Sequence, residues 1–181
     1  MGEVTLVRLG PRSQIDVRAR GDAAARVAAR LSLPVLPAPN RFAETPLGVC
    51  FWLGPAEWLV VGEPSSRSTN LEALEGAVGP DDGSVVDLSS SRVLFELNGP
   101  SARDVLASCC ALDLHPRVFG PGQCAQTLLA KAPVLLCQVD EAPTYHLFVR
   151  PSFASYVVSW LEDGIEGAMA ESASPRTSNR P

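Results

Sequence analysis

A short pattern occurs twice in this chain and limits what it can fold into. Residues 15–31 read IDVRARGDAAARVAARL, and residues 94–110 read LFELNGPSARDVLASCC. Gly21, Ala24 and Val27 of the first stretch recur as Gly99, Ala102 and Val105 of the second, at an offset of about 78 positions. In the first, Ile15, Val17 and Ala19 alternate with Asp16, Arg18 and Arg20, the period of a half-buried strand. After Gly21, the residues Ala24, Val27, Ala28 and Leu31 share one helical face. In the second, a strand over Arg92 to Leu97 meets Gly99-Pro100, and a short helix over Ser101 to Ala107 follows. Proline suits a helix start because its missing N–H has no intrahelical partner there.

Each copy continues with a loop, a hairpin and a helix. The hairpins are GVCFWLGPAEWLVV and CAQTLLAKAPVLLCQV; the helices are NLEALEGAV and SFASYVVSWL. The expectation is an α+β fold of two pseudo-repeated βαββα halves, about 13–88 and 92–163, fused into one module over 1–166. Pro34, Pro37 and Pro39 predict an extended surface connection through LPVLPAPNRFAETP. From Met169 onward AESASPRTSNRP lacks core residues, so 167–181 is expected to be a disordered tail.

Composition excludes several function classes. Charged residues make up 19% of the 181 positions, against about 25% in ordinary soluble domains. A surface so poor in charge leaves area for a partner. The net charge is −5 and the basic residues are scattered, so the electrostatic footprint of a nucleic-acid binder is missing. No apolar run approaches the ~18 residues of a membrane span. The first residues lack the apolar core of a signal peptide. Five cysteines with no CxxC pair read as buried free thiols of a cytoplasmic protein rather than as metal ligands.

Candidate chemistry is thin. His115 and His146 are the two histidines. His115 near Cys109 and Cys110 lacks a third group to orient a nucleophile–base pair. Gly120 to Ala125 spells GxGxxA, but it follows a loop and opens a strand, whereas a dinucleotide fingerprint follows a strand and opens a helix. Asp81-Asp82, Asp140-Glu141 and Glu162-Asp163 read as solvated carboxylates. No catalytic, cofactor-binding or metal residue is therefore assigned. The distinctive element is the loop from Leu112 to Gln126, which has no counterpart in the first copy. Its Leu112, His115, Pro116, Arg117 and Phe119 combine apolar anchors with Arg and His, a mix suited to an interface core. The alternative is a loop that packs on its own sheet.

One stretch also carries a family resemblance. DLSSSRVLFELNGPSARDVLASCCALDLHPRVFGPGQCAQTLLAKAPVLL, with LGPAEWLVVG before it and PTYHLFVRPSFASYVVSWLED after it, resembles the gamma subunits of heterotetrameric sarcosine oxidases. The likeness runs from about Gln14 to Asp163. Asp87-Leu88-Ser89 and Asn98-Gly99-Pro100-Ser101-Ala102 are similar to a signature of the wider superfamily of the glycine-cleavage aminomethyltransferase and its folate-binding relatives. The resemblance implies ferredoxin-like halves, as in the N-terminal folate-binding domain of aminomethyltransferases. It implies a non-catalytic accessory subunit of a sarcosine oxidase-type flavoenzyme, which demethylates sarcosine oxidatively to glycine and passes one carbon to tetrahydrofolate. FAD, FMN, NAD and tetrahydrofolate would then sit on partner alpha and beta (and delta) subunits, with none on this chain. Two alternatives stay open: a stand-alone folate-binding, aminomethyltransferase-like domain, and a subunit of a related N-methyl amino acid dehydrogenase.

Overall fold

Strands that are apolar on both faces need cover on both sides, and the fold supplies it in four layers. The structure, a computed structural model, describes residues 4–80 and 82–173, with side chains to 170. Ten strands form two five-stranded antiparallel sheets. The first sheet is built from β2 (Ser13–Ala19), β3 (Phe42–Thr45), β4 (Gly48–Gly54), β5 (Glu57–Gly62) and β6 (Gly83–Asp87), in the order β3-β4-β5-β2-β6. The second contains β1 (Thr5–Arg8), β7 (Val93–Asn98), β8 (Gln123–Leu129), β9 (Ala132–Gln138) and β10 (Thr144–Val149), in the order β1-β7-β10-β9-β8.

The sheets face one another through Phe51, Leu53, Leu59 and Val61 on one side and Leu94, Cys124, Leu135, Cys137 and Phe148 on the other. Phe51 and Phe148 meet edge to face at 5.3 Å, the arrangement aromatic quadrupoles favour. On the outer face of the first sheet lie helices α1 (Gly21–Arg30) and α2 (Arg67–Val78), which bury Val27, Leu74 and Val78 against Val17 and Val60. On the outer face of the second lie α3 (Ala102–Cys109) and α4 (Ala154–Ala173), which bury Val105, Leu106, Val157 and Leu161 against Leu97, Tyr145 and Leu147.

The chain crosses between sheets twice. β1 precedes β2 in sequence yet pairs with β7, and β6 precedes β7 yet pairs with β2. Gln14 pins the second crossing. It is buried, its backbone N–H donates to Ser89 Oγ at 3.1 Å, and its Nε2 donates to the Arg92 carbonyl at 2.9 Å. Asp87 accepts the Ser89 backbone N–H at 2.9 Å and the Ser89 hydroxyl at 2.6 Å, and Arg67 pairs with it. The Ser89 hydroxyl, then its N–H and Arg67, hold the Asp87 carboxyl below its ordinary range. The Asp87-Leu88-Ser89 motif thus builds a turn. Gly99, with φ of 132°, makes a turn that L side chains resist.

Several expectations need correction. β1 and β3 were absent from the sequence reading, and β3 lies inside the predicted extended connection. Both are edge strands whose residues are half-buried or exposed, so no periodicity marks them. Each of α1 and α3 is followed by three strands, not by one hairpin. The sheet places held by β4 and β5 are filled by β9 and β10, not by the β8–β9 hairpin, because a third strand, β10, follows that hairpin before α4. Helix α4 runs to Ala173, so the tail cannot begin at 167; residues 174–181 lie outside the described residues, as does Asp81.

Candidate docking loop

Arg103, in the first turn of α3, holds the loop that follows its helix. Its Nη1 donates to the carbonyls of Leu114 and Phe119, the latter at 3.1 Å, and its Nη2 donates to Gln138 Oε1 at 3.0 Å. The guanidinium carbon lies 5.7 Å from the centre of the Tyr145 ring, within cation–π reach. Burial pushes the Tyr145 hydroxyl up to about 12, with Arg103 acting against it. Arg103 thus caps two loop carbonyls that would otherwise lack donors near an apolar core.

The loop residues divide into anchors and a tip. Leu114 and Phe119 are buried in the α3–α4 core, and Leu112 packs half-buried against it. His115, Pro116, Arg117 and Val118 are exposed. The tip is ordered by its own backbone. The His115 N–H donates to Asp113 Oδ1 at 2.9 Å, and the Val118 and Phe119 N–H groups donate to the His115 carbonyl at 2.8 and 2.9 Å. The Arg117 N–H donates to His115 Nδ1 at 3.2 Å, so the imidazole acts as acceptor at Nδ1. Of the five predicted residues, Leu112 and Phe119 serve the chain's own core; His115, Pro116 and Arg117 form a preformed exposed surface. Leu112 and Phe119 thus pack on the chain's own core, while the three tip residues face outward.

The other candidates are structural. Gly122, with φ of 77°, ends a turn that opens β8, so the GxGxxA string makes no helix N-terminus. Cys50, Cys110, Cys124 and Cys137 are buried and Cys109 is half-buried, all as free thiols. Burial pushes Cys50 to about 12 and Cys124 to about 11, and raises Cys137 further; such thiols are poor nucleophiles. His146 Nε2 lies 3.1 Å from Glu96 Oε2 on the inner face of the second sheet. Asp140 is no free carboxylate: it accepts the N–H groups of Ala142 and Thr144, each at 3.0 Å. Among the described residues no group of three His, Cys, Asp or Glu could hold a metal, and no helix is long and apolar enough to cross a membrane.

The two-sheet frame is a known fold. The chain superposes on the glycine cleavage system aminomethyltransferase T from Bartonella henselae with a TM-score of 0.65 at 17% identity, over 88% of this chain and 45% of that one. At that identity the likeness is one of fold, and the class is an α+β domain of the aminomethyltransferase type. Nearer relatives fix the family. The family model described as "Sarcosine oxidase, gamma subunit family" matches residues 17–167. The chain is 38% identical to a sarcosine oxidase subunit gamma of Corynebacterium sp. (strain U-96), over 90% of its own length and 79% of the relative's. It is 37% identical to the counterpart of an Arthrobacter species, over 96% and 84%. It superposes on a chain of the heterotetrameric sarcosine oxidase of Corynebacterium sp. U-96 with a TM-score of 0.82 at 35% identity, over 91% and 84% of the two chains. The chain belongs to the sarcosine oxidase gamma subunit family.

Proposed function

We propose that this chain is the accessory gamma subunit of a sarcosine oxidase-type complex, and that its work is to bind and position partner subunits. The carrying observation is the family match across residues 17–167, joined to the close superposition on a chain of a heterotetrameric sarcosine oxidase. The partners are the alpha and beta subunits, with delta completing the assembly. FAD, FMN, NAD and tetrahydrofolate belong to those chains, and the complex works in the cytoplasm. The loop tip of His115, Pro116 and Arg117 is a contact surface, seated by Leu112 and Phe119. Its internal hydrogen bonds support this reading, because a contact ordered beforehand loses little conformational entropy on docking.

The two halves are a pseudo-repeat of ferredoxin-like units whose leading strands, β1 and β6, have changed places. The matching strand orders, β3-β4-β5-β2-β6 and β8-β9-β10-β7-β1, support that reading. Co-expression tests the function. The chain should be retained when tagged candidate alpha and beta subunits are purified, and omitting it should lower the yield of assembled, sarcosine-oxidising complex. A fully active alpha–beta pair that never retains the chain would sink the proposal.

A further inference from the structure

The two sheets share one structural position and carry different charge there. In the first sheet, Ser13 of β2 pairs with Gly62 of β5. The next residues outward, Arg12 and Glu63, form an ion pair at 3.9 Å. Both line a cleft of about 370 Å³ between the sheets. In the second sheet the same places in the strand order belong to β7 and β10, where Val93 pairs with Val149. The next residues outward are Arg92 and Arg150. They line a cleft of about 310 Å³ whose floor includes Pro133, Leu135 and Phe148.

One cleft therefore carries its own counter-charge, and the other is lined by two arginines. Like charges placed opposite one another across a sheet are destabilising. Arg92 Nη1 is fully covered and has no hydrogen-bond partner among the described residues, so the desolvation of that donor is uncompensated. Asp16 and Glu57 attract Arg92 and Arg150 repels it, but neither carboxylate makes an ion pair with it. Both carboxylates pair with Arg18 instead, Asp16 at 3.6 Å and Glu57 at 3.1 Å. At the rim, Leu128 is 52% exposed, so apolar surface borders the cationic pair.

We propose that this cleft receives an acidic side chain, Asp or Glu, carried on an apolar-flanked segment of a partner subunit. The inference rests on the accessory-subunit reading above. The carboxylate takes the place that Glu63 fills within the chain in the other sheet. Two guanidiniums suit a carboxylate because each offers a fork of donors matched to its oxygens. The apolar floor accepts the neighbouring side chains and excludes water, which strengthens the pairing.

The test uses the full chain, as wild type and as Arg150→Glu, co-expressed with candidate alpha and beta subunits and washed through a salt series. Arg150→Glu supplies the counter-charge from within the chain. It should melt at or above the wild-type temperature by itself, yet be retained at least tenfold less well. If it melts lower, Arg150→Met replaces it and should still reduce retention several-fold. Wild type and variant retained equally would overturn the cleft assignment and leave the accessory reading standing. Wild type never retained would overturn both. Sodium benzoate, titrated into the chain alone at fixed ionic strength, distinguishes a small ligand. Saturable binding that Arg150→Glu abolishes, with assembly unchanged, would assign the cleft to a small carboxylate and remove the partner from it.

Discussion

Asp16 sits on the inner face of the first sheet, 6% exposed, between Arg18 at 3.6 Å and the carboxylate of Glu57. Burial, and then Glu57, push its pKa from 3.8 up to about 6, and Arg18 opposes them. The folded state therefore binds this proton more tightly than the unfolded chain does. By linkage, stability falls as pH rises from about 4 to about 6, and the loss persists above that window. The size is on the order of 2–3 kcal/mol at neutral pH. Asp16→Asn removes the titration, so the variant should gain stability over wild type at pH 7.5 and show none near pH 3.5. Urea midpoints at the two pH values check this, and an equal difference at both would refute it. The sequence marked Asp16 as the polar phase of a strand and thus as solvent-facing. It faces a second sheet instead, and single-strand periodicity carries no information about what lies beyond the strand.

At the scale of the element, the loop after α3 separates what a sequence shows from what it hides. Leu112, His115, Pro116, Arg117 and Phe119 stood out by residue type. Their division into anchors and tip depends on Arg103, which read as an ordinary helix residue because its partners, Leu114, Phe119 and Gln138, are distant in sequence. The helices and the strongly apolar strands were legible because each carries its own period. The edge strands β1 and β3 were not, because edge residues bury too little to impose one. Two variants dissect the loop. Arg103→Met strands the two loop carbonyls and Gln138, and should destabilise the fold by about 2–3 kcal/mol, with faster amide exchange over residues 112–122. His115→Ala combined with Arg117→Ala should leave the melting temperature unchanged, since neither side chain enters the core, and should weaken retention by the partner subunits. Equal retention of the double variant and wild type would remove the tip from the interface.

At the scale of the whole molecule, the crossed strands link the two sheets through the chain. The pairing of β1 with β7 and of β6 with β2 was not legible in the sequence, since a chain's pattern does not state which of two edges a strand will join. The pairing of β1 with β7 has a consequence for the N-terminus. β1 pairs with β7 from Thr5↔Asn98 to Arg8↔Phe95, and the Leu9 N–H donates to the Leu94 carbonyl at 2.9 Å. Val4 is buried in the α3–α4 core, and Leu6 packs against it. Removing residues 1–9 should therefore damage the second sheet, far along the sequence, before the first. Hydrogen exchange should rise most over residues 94–98, while β2 and β5, next to the cut, keep their protection. The bared β7 edge should also make the truncated chain concentration-dependent in its association, because an uncovered edge is a template for pairing. Protection lost first over β2 would mean that β1 contributes little to the second sheet, and the interlocked description of the fold would have to be given up.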